Sequence, residues 1–189
     1  MNIKELLNRI STLNEENNQL LSERFSEEKL KKGDILMSTN RVEKHFYLIK
    51  KGIVRAFTSS DDSDITFWFG LEGDVILSML SYVQQQKSYE TIEALEDLIV
   101  YKIDLKQLEN LYKTNVEIAN WGRKLAEFEL LKTEQRFINR LTGTAKERYE
   151  HLIHQQPEIV QRVQLGHIAS YLGITQVSLS RIRSEMTLS

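Results

Sequence analysis

Hydrophobic residues at the start of the chain recur at steps of three and four. They are Ile3, Leu6, Leu7, Ile10 and Leu13. This spacing places apolar side chains on one face of a helix, so it predicts an amphipathic N-terminal helix. A second helical turn is expected over residues 20–25, where Leu20, Leu21 and Phe25 continue the apolar pattern.

From Leu30 onward the period shortens to two, which is the period of strands. Ile65, Phe67 and Phe69 alternate with their neighbours, and residues 99–103 alternate in the same way. Glycines separate these short runs, and the polar residues 59–64 read as a hairpin tip. Several short strands at such spacing predict a barrel or double-sheet roll. Residues 77–86 break the pattern and predict a short helix with a surface loop.

After the strands, Asp104 is expected to cap a helix with Gln107 in the capping-box position. A longer helix is predicted over residues 116–141, and it has two apolar faces. The first face has the spacing of a coiled-coil seam and is assigned to a dimer interface: Ile118, Trp121, Leu125 and Phe128. The second face holds Ala119, Ala126, Leu130, Phe137 and Leu141. One face is expected to pack on the roll and one on a partner; a central helix inside a monomer is the alternative.

Residues typical of helix ends and helix caps divide the remainder of the chain. Thr142-Gly143 ends the long helix, and Thr144 with Glu147 forms a capping box for a helix through about residue 155. Pro157 interrupts the chain before a short helical piece. The fold class expected is therefore α+β, with a roll and its flanking helices over residues 1–115, a long helix and hinge over 116–143, and a small helical domain over 144–189.

The pattern in residues 164–183 predicts a helix-turn-helix. Ile168, Ala169 and Leu172 form a narrow apolar stripe, and Gly173 follows where a left-handed residue ends a helix. Thr175 is expected to cap a second helix whose Leu179 and Ile182 face inward. The outer positions are polar or exposed: Gln176, Val177, Ser178, Ser180, Arg181 and Arg183. Amides, hydroxyls and guanidinium groups suit base edges and phosphates, although an ordinary pair of packed helices has the same spacing.

Composition limits the chemistry. The chain has no cysteine, which excludes disulfides, thiolate nucleophiles and cysteine-ligated clusters. The net charge is −2, and residues 144–189 hold five Lys/Arg against four Asp/Glu, which counts against DNA binding. Arg162, Arg181 and Arg183 still provide a local basic face. Without a long apolar run or a signal-peptide core, we expect a cytoplasmic protein with no membrane partner.

Several short motifs occur in an order that resembles the Crp/Fnr family of bacterial transcription regulators, with the short Bacteroidetes-type members as the nearest likeness. The resemblance covers nearly the whole chain. It rests on Lys32-Gly33-Asp34, residues 47–52, Gly73-Asp74, Glu147-Arg148-Tyr149, residues 168–174 and residues 179–183. It implies a homodimer that reads a roughly palindromic site on double-stranded DNA, with RNA polymerase as a further partner and an unknown small-molecule effector in each cyclic-nucleotide-binding-domain-like roll.

The resemblance also assigns roles to residues. It places Gln176, Val177 and Arg181 where the family reads bases, with Thr175 and Ser178 beside the phosphates. Val177 stands where many relatives have glutamate, which changes the expected base preference towards a thymine methyl. Only a few residues follow the second helix, so we expect no β-hairpin wing and weaker anchoring to the DNA backbone.

The same resemblance places an effector pocket at Leu77, Ser78, Lys87, Ser88 and Tyr89. Relatives that bind cyclic AMP have Gly-Glu and Arg-Ser pairs there, and the loss of both predicts weak or absent cyclic AMP binding because a buried phosphate lacks its cradle. No cofactor or metal is assigned, and His45 alone in the roll argues against a haem sensor or a cupin-like metalloenzyme. No enzymatic activity is expected. The alternative function is a ligand-binding roll that signals through protein contacts with weak or no DNA binding.

Overall fold

The computed structural model describes residues 1–59 and 63–187, so the centre of the predicted hairpin tip, residues 60–62, lies outside the described residues. Helix α1 spans Ile3–Ile10, with Asn2 and Glu5 forming a capping box. Leu13 lies beyond the end of this helix but is buried all the same. Helix α2 spans Glu15–Ser22, so the predicted second helical turn ends before Phe25.

Within the described residues, eight strands form two four-stranded sheets, which agrees with the predicted double-sheet roll. The first strand starts at Ser26, four residues before the expected change of period. The bounds are β1 Ser26–Leu30, β2 Ile35–Met37, β3 His45–Lys51, β4 Val54–Ser59, β5 Asp64–Gly70, β6 Val75–Ile76, β7 Thr91–Ala94 and β8 Leu98–Asp104. The strand orders are β1-β8-β3-β6 and β2-β7-β4-β5. In the first sheet β8 is antiparallel to both neighbours, with Leu30 opposite Leu98 and Phe46 opposite Ile103.

Two helices accompany the sheets. Helix α3 spans Met79–Gln84 within the segment that breaks the strand pattern. Helix α4 spans Leu105–Thr114, and the Asp104 carboxylate accepts the backbone N–H of Lys106 at 2.8 Å. Its buried residues are Leu105, Leu108 and Leu111, which recur at steps of three along one side of the helix.

Helix α5 spans Val116–Leu141, as predicted, but most of the face assigned to a dimer interface is buried within the chain itself. Ile118, Trp121 and Leu125 are buried in this chain's own core, together with leucines of α1 and α4. The Trp121 indole N–H donates to the Leu7 carbonyl at 2.9 Å, which fixes the ring inward. Of the four assigned residues, only Phe128 is exposed, at 47%. The assignment of the other three was therefore wrong.

Four helices complete the chain. They are α6 Ala145–Gln155, α7 Pro157–Arg162, α8 Leu165–Leu172 and α9 Gln176–Thr187. The predicted capping box of α6 is present: the Thr144 N–H donates to the Glu147 carboxylate at 2.6 Å, and the Glu147 N–H donates to the Thr144 hydroxyl. These bonds hold the pKa of Glu147 below its ordinary value. Pro157 occupies the first turn of α7, where its missing N–H costs nothing.

Residue contacts group the chain into two units. Unit 1 comprises Met1–Arg55 and Gly70–Leu131, and its core contains the buried leucines of α1, α2 and α4. Unit 2 comprises Ala56–Phe69 and Lys132–Ser189, so most of the β4 and β5 residues group with the C-terminal helices. Within the described residues, no helix is both long and apolar enough to cross a membrane.

Candidate nucleic-acid interface

Helices α8 and α9, called the helix pair below, are joined by the three residues Gly173, Ile174 and Thr175. Gly173 adopts φ 69°, the left-handed conformation expected from the sequence. The Ile174 N–H then donates to the Ala169 carbonyl at 3.0 Å and closes the end of α8. Thr175 accepts the Ser178 N–H at 3.1 Å, so it caps α9 as predicted. The turn is thus specified by local chemistry.

The apolar side of the helix pair is buried as the spacing predicts. Ile168, Ala169, Leu172 and Leu179 are all inaccessible or nearly so, whereas Ile182 is half-buried. The small side chain of Ala169 and the absent side chain of Gly166 permit the close crossing. A Cβ atom on Gly166 would lie 3.3 Å from the Gln176 side-chain oxygen, closer than ordinary contact. The crossing therefore fixes the first turn of α9 against α8.

Arg148 of α6 supports the end of α8. Its guanidinium donates to the Leu172 carbonyl and to the Gly143 carbonyl, each at 3.1 Å. A cation at a helix C-terminus satisfies carbonyl groups that have no partner within the helix and is favoured by the helix dipole. This arginine belongs to the Glu147-Arg148-Tyr149 motif, and Tyr149 is itself buried. The motif accordingly positions α8.

The helix pair is also held to strand β5 within unit 2. The Ser170 hydroxyl donates to the Asp64 carbonyl at 2.8 Å and accepts the Thr66 N–H at 2.9 Å. The rings of Phe69 and Tyr171 lie 5.2 Å apart between centroids at 51°. Burial raises the pKa of Tyr171. In β5 the polar Thr66 is fully buried, whereas its apolar neighbour Ile65 is 38% exposed.

The outer side of the helix pair contains a shallow depression of about 590 Å³. Its lining residues are Leu165, Gln176, Val177, Ser180, Arg181 and Ser184. Four of these are among the predicted DNA-binding residues. Val177 is 80% exposed and the Arg181 side chain 83% exposed, so both project from the surface. The depression combines an amide, hydroxyls, a guanidinium and an apolar group, which is a set suited to base edges in a major groove.

The remaining predicted residues lie outside this depression. Thr175 and Ser178 are exposed at the first turn of α9, and their hydroxyls are 2.9 Å apart. Arg183 is exposed two residues after Arg181, so it faces another side of the helix. Sequence reasoning missed Leu165, Ser184 and Glu185. The Glu185 carboxylate accepts Arg181 Nε–H at 3.1 Å, and the i,i+4 spacing was the signal that would have found it.

The residues assigned to an effector pocket differ in burial, and the hydroxyls of both serines form hydrogen bonds with backbone groups. The Ser78 hydroxyl caps α3, accepting the Ser81 N–H, and the Ser88 hydroxyl donates to the Glu90 carbonyl at 2.9 Å. Both serines are buried and used by the backbone, whereas Lys87 and Tyr89 are exposed and Leu77 is half-buried. Glu90, only 6% exposed, has one side-chain oxygen with no hydrogen-bond partner among the described residues.

Among all the described residues, no group of three or more His, Asp or Glu could hold a metal ion.

Parts of both units are similar to known proteins. Residues 27–115 match the family model of the cyclic nucleotide-binding domain. The segment that contains the strands and helix α4 is therefore similar to a cyclic nucleotide-binding domain. No curated protein matches the chain by sequence.

Solved structures extend the likeness beyond the roll. FixK2 from Bradyrhizobium japonicum has a TM-score of 0.72 at 22% identity, covering 87% of this chain and 85% of that one. A Crp/Fnr-family protein from Eubacterium rectale has a TM-score of 0.71 at 21% identity, covering 93% and 84%. A CooA mutant from Carboxydothermus hydrogenoformans has a TM-score of 0.70 at 20% identity, covering 99% and 84%. The fold thus resembles the folds of these three proteins over most of its length.

Proposed function

We propose that this chain is a DNA-binding transcription regulator, a short Crp/Fnr-type member of the Bacteroidetes kind, that acts as a homodimer on a roughly palindromic site. The observation that carries the proposal is the exposed outer side of the helix pair. There Gln176, Val177 and Arg181 project from α9, which Thr175 caps, while Arg148 supports the end of the preceding helix α8. Arg181 and Gln176 supply donors for base edges, and the Thr175 and Ser178 hydroxyls supply contacts for phosphates.

The dimer is supported by the second half of α5. The α5 stripe consists of Leu130, Phe137 and Leu141, spaced by seven and four residues, which returns to the same side of a helix. All three are more than half exposed. Contiguous exposed apolar side chains mark an interaction surface, and a two-fold pair of identical helices buries them most simply. The proposed dimer interface is therefore the face opposite Trp121, rather than the seam containing it.

The test of the function is selection of binding sites from random duplexes with the purified full chain. We expect a two-fold symmetric consensus with half-sites about one helical turn apart. Arg181→Ala should relax the preference at one guanine per half-site by about 1–3 kcal/mol, because it removes the bidentate contact to O6 and N7. Arg162→Ala is the matched control. Any loss of affinity that it causes should be equal for all DNA sequences. Absence of any enriched sequence would refute the proposal.

We propose further that the roll does not bind cyclic AMP tightly. Ser78 and Ser88 are occupied by backbone bonds, and the buried carboxyl group of Glu90 lies two residues from Ser88. A cyclic phosphate there would lack cationic donors and meet an acidic group. Titration calorimetry should give no heat of binding at micromolar cyclic AMP or cyclic GMP. A micromolar dissociation constant would contradict this. Tight binding of a small molecule without DNA affinity at low salt would favour the alternative, a ligand-binding roll that signals through protein contacts.

A further inference from the structure

An acidic residue lies on the proposed DNA-reading side of α9, where negative charge opposes DNA binding. Glu185 is the one acidic residue in this helix, and it follows Arg181 by four positions. The Arg181 Nε–H donates to Glu185 Oε1 at 3.1 Å. The side chains are 83% and 54% exposed, respectively, so the pair faces solvent rather than the core. Such an exposed ion pair adds little to folding stability.

The bond has a geometric effect on the arginine. A guanidinium on an unrestrained four-bond stem can reach several phosphates, and phosphate contacts carry no sequence information. A bond at Nε instead fixes the plane of the group and does not use the terminal nitrogens Nη1 and Nη2. Those two nitrogens are then available to donate the bidentate hydrogen bonds to guanine O6 and N7. The carboxylate also repels the phosphate backbone whatever its sequence.

From this geometry, and resting on the proposed function, we propose that Glu185 is a specificity-determining positioning residue that holds Arg181 in the guanine-reading orientation. It weakens sequence-independent attraction and keeps the sequence-dependent contact. Discrimination is a difference between two affinities, and a repulsive group increases it when the correct site alone provides the compensating contact. The modest basic charge of residues 144–189 is consistent with a protein that limits non-specific binding in this way.

The experiment measures affinity for the selected duplex and for a scrambled duplex over a range of salt concentrations. Glu185→Ala should lower the ratio of specific to scrambled affinity by about 5- to 10-fold, within the range of one base contact. Scrambled binding should strengthen, and its log–log salt slope should steepen by up to about 0.9 per protomer. Glu185→Gln keeps an oxygen acceptor for Nε but loses the charge, so it should strengthen binding to both duplexes while retaining most of the ratio. Glu158→Ala, the same charge change on α7, should alter neither ratio nor slope.

The Arg181→Ala background separates positioning from direct base reading. If Glu185 acts through Arg181, then Glu185→Ala should leave the affinity ratio of Arg181→Ala unchanged. A further fall of the ratio in that background would show that Glu185 reads a base itself and would overturn the inference. An unchanged ratio in the Glu185→Ala single variant would also overturn it while leaving the proposed function intact. If the unmodified chain selects no duplex, the proposed function fails and the inference with it.

Discussion

Trp121→Ala is expected to lower the free energy of unfolding by about 3–5 kcal/mol, the usual cost of removing a large buried aromatic side chain. Trp121 is 1% exposed, and its ring meets the Phe46 ring edge-on with centroids 6.4 Å apart. The substitution also removes the donor to the Leu7 carbonyl, which lies in a helix that is itself part of the core. Urea unfolding followed by circular dichroism would measure the loss.

The control for this prediction is Phe128→Ala, seven residues further along the same helix. Phe128 is about half exposed, so its truncation should cost far less folding stability than that of Trp121. A position of Trp121 in a dimer interface, as its helical spacing predicts, would have the opposite effect. If Trp121→Ala dissociated a dimer while leaving each folded protomer as stable as before, the core position would be refuted.

Phe137→Glu is expected to convert the proposed dimer into monomers. The Phe137 side chain is 63% exposed in the single chain and lies in the middle of the α5 stripe. A two-fold interface would bring two new carboxylates into an apolar contact, and burying unpaired charge is costly. We expect at least a hundredfold weaker association, which corresponds to about 2.7 kcal/mol or more. Sedimentation at micromolar concentrations would show the change in mass.

The matched control for the dimer is Gln135→Glu, which adds the same charge to an exposed polar position of α5. It should leave the sedimentation profile unchanged. Because Phe137 lies outside the buried core, Phe137→Glu should leave each protomer folded. Its helix content, measured by circular dichroism, should equal that of the wild type. A Phe137→Glu protein that sediments as the wild type would refute the proposed interface.

Local chemistry made the helix pair predictable from the sequence. A glycine that must be left-handed, a threonine cap and three small or apolar residues act within ten positions, so Gly173 and Thr175 were identified correctly. The capping box of Thr144 with Glu147 belongs to the same class. In each case, the residue type and the backbone group that it serves lie within one turn of helix.

Contacts between distant segments were not predictable in this way. The period of α5 indicated two apolar faces, but the face that enters the core depends on the Leu7 carbonyl, 114 positions away from Trp121. Likewise, the order of residues along the chain assigned Ser78 and Ser88 to a pocket. In the structure, the hydroxyl of each serine forms a hydrogen bond with a nearby backbone group. Regular alternation in β5 would place the apolar Ile65 inward. Thr66 is buried instead, and its backbone N–H donates to the Ser170 hydroxyl.

The bond between Ser170 and β5 has a consequence for self-association. β5 is the last strand of its sheet, so one side of it presents N–H and carbonyl groups with no neighbouring strand. Such an edge is a template on which another chain can add a strand and begin to aggregate. The Ser170 hydroxyl satisfies one donor and one acceptor along it, as a neighbouring strand would. Helix α8, which supports the proposed DNA-reading side of α9, therefore also covers this strand edge against edge-to-edge association.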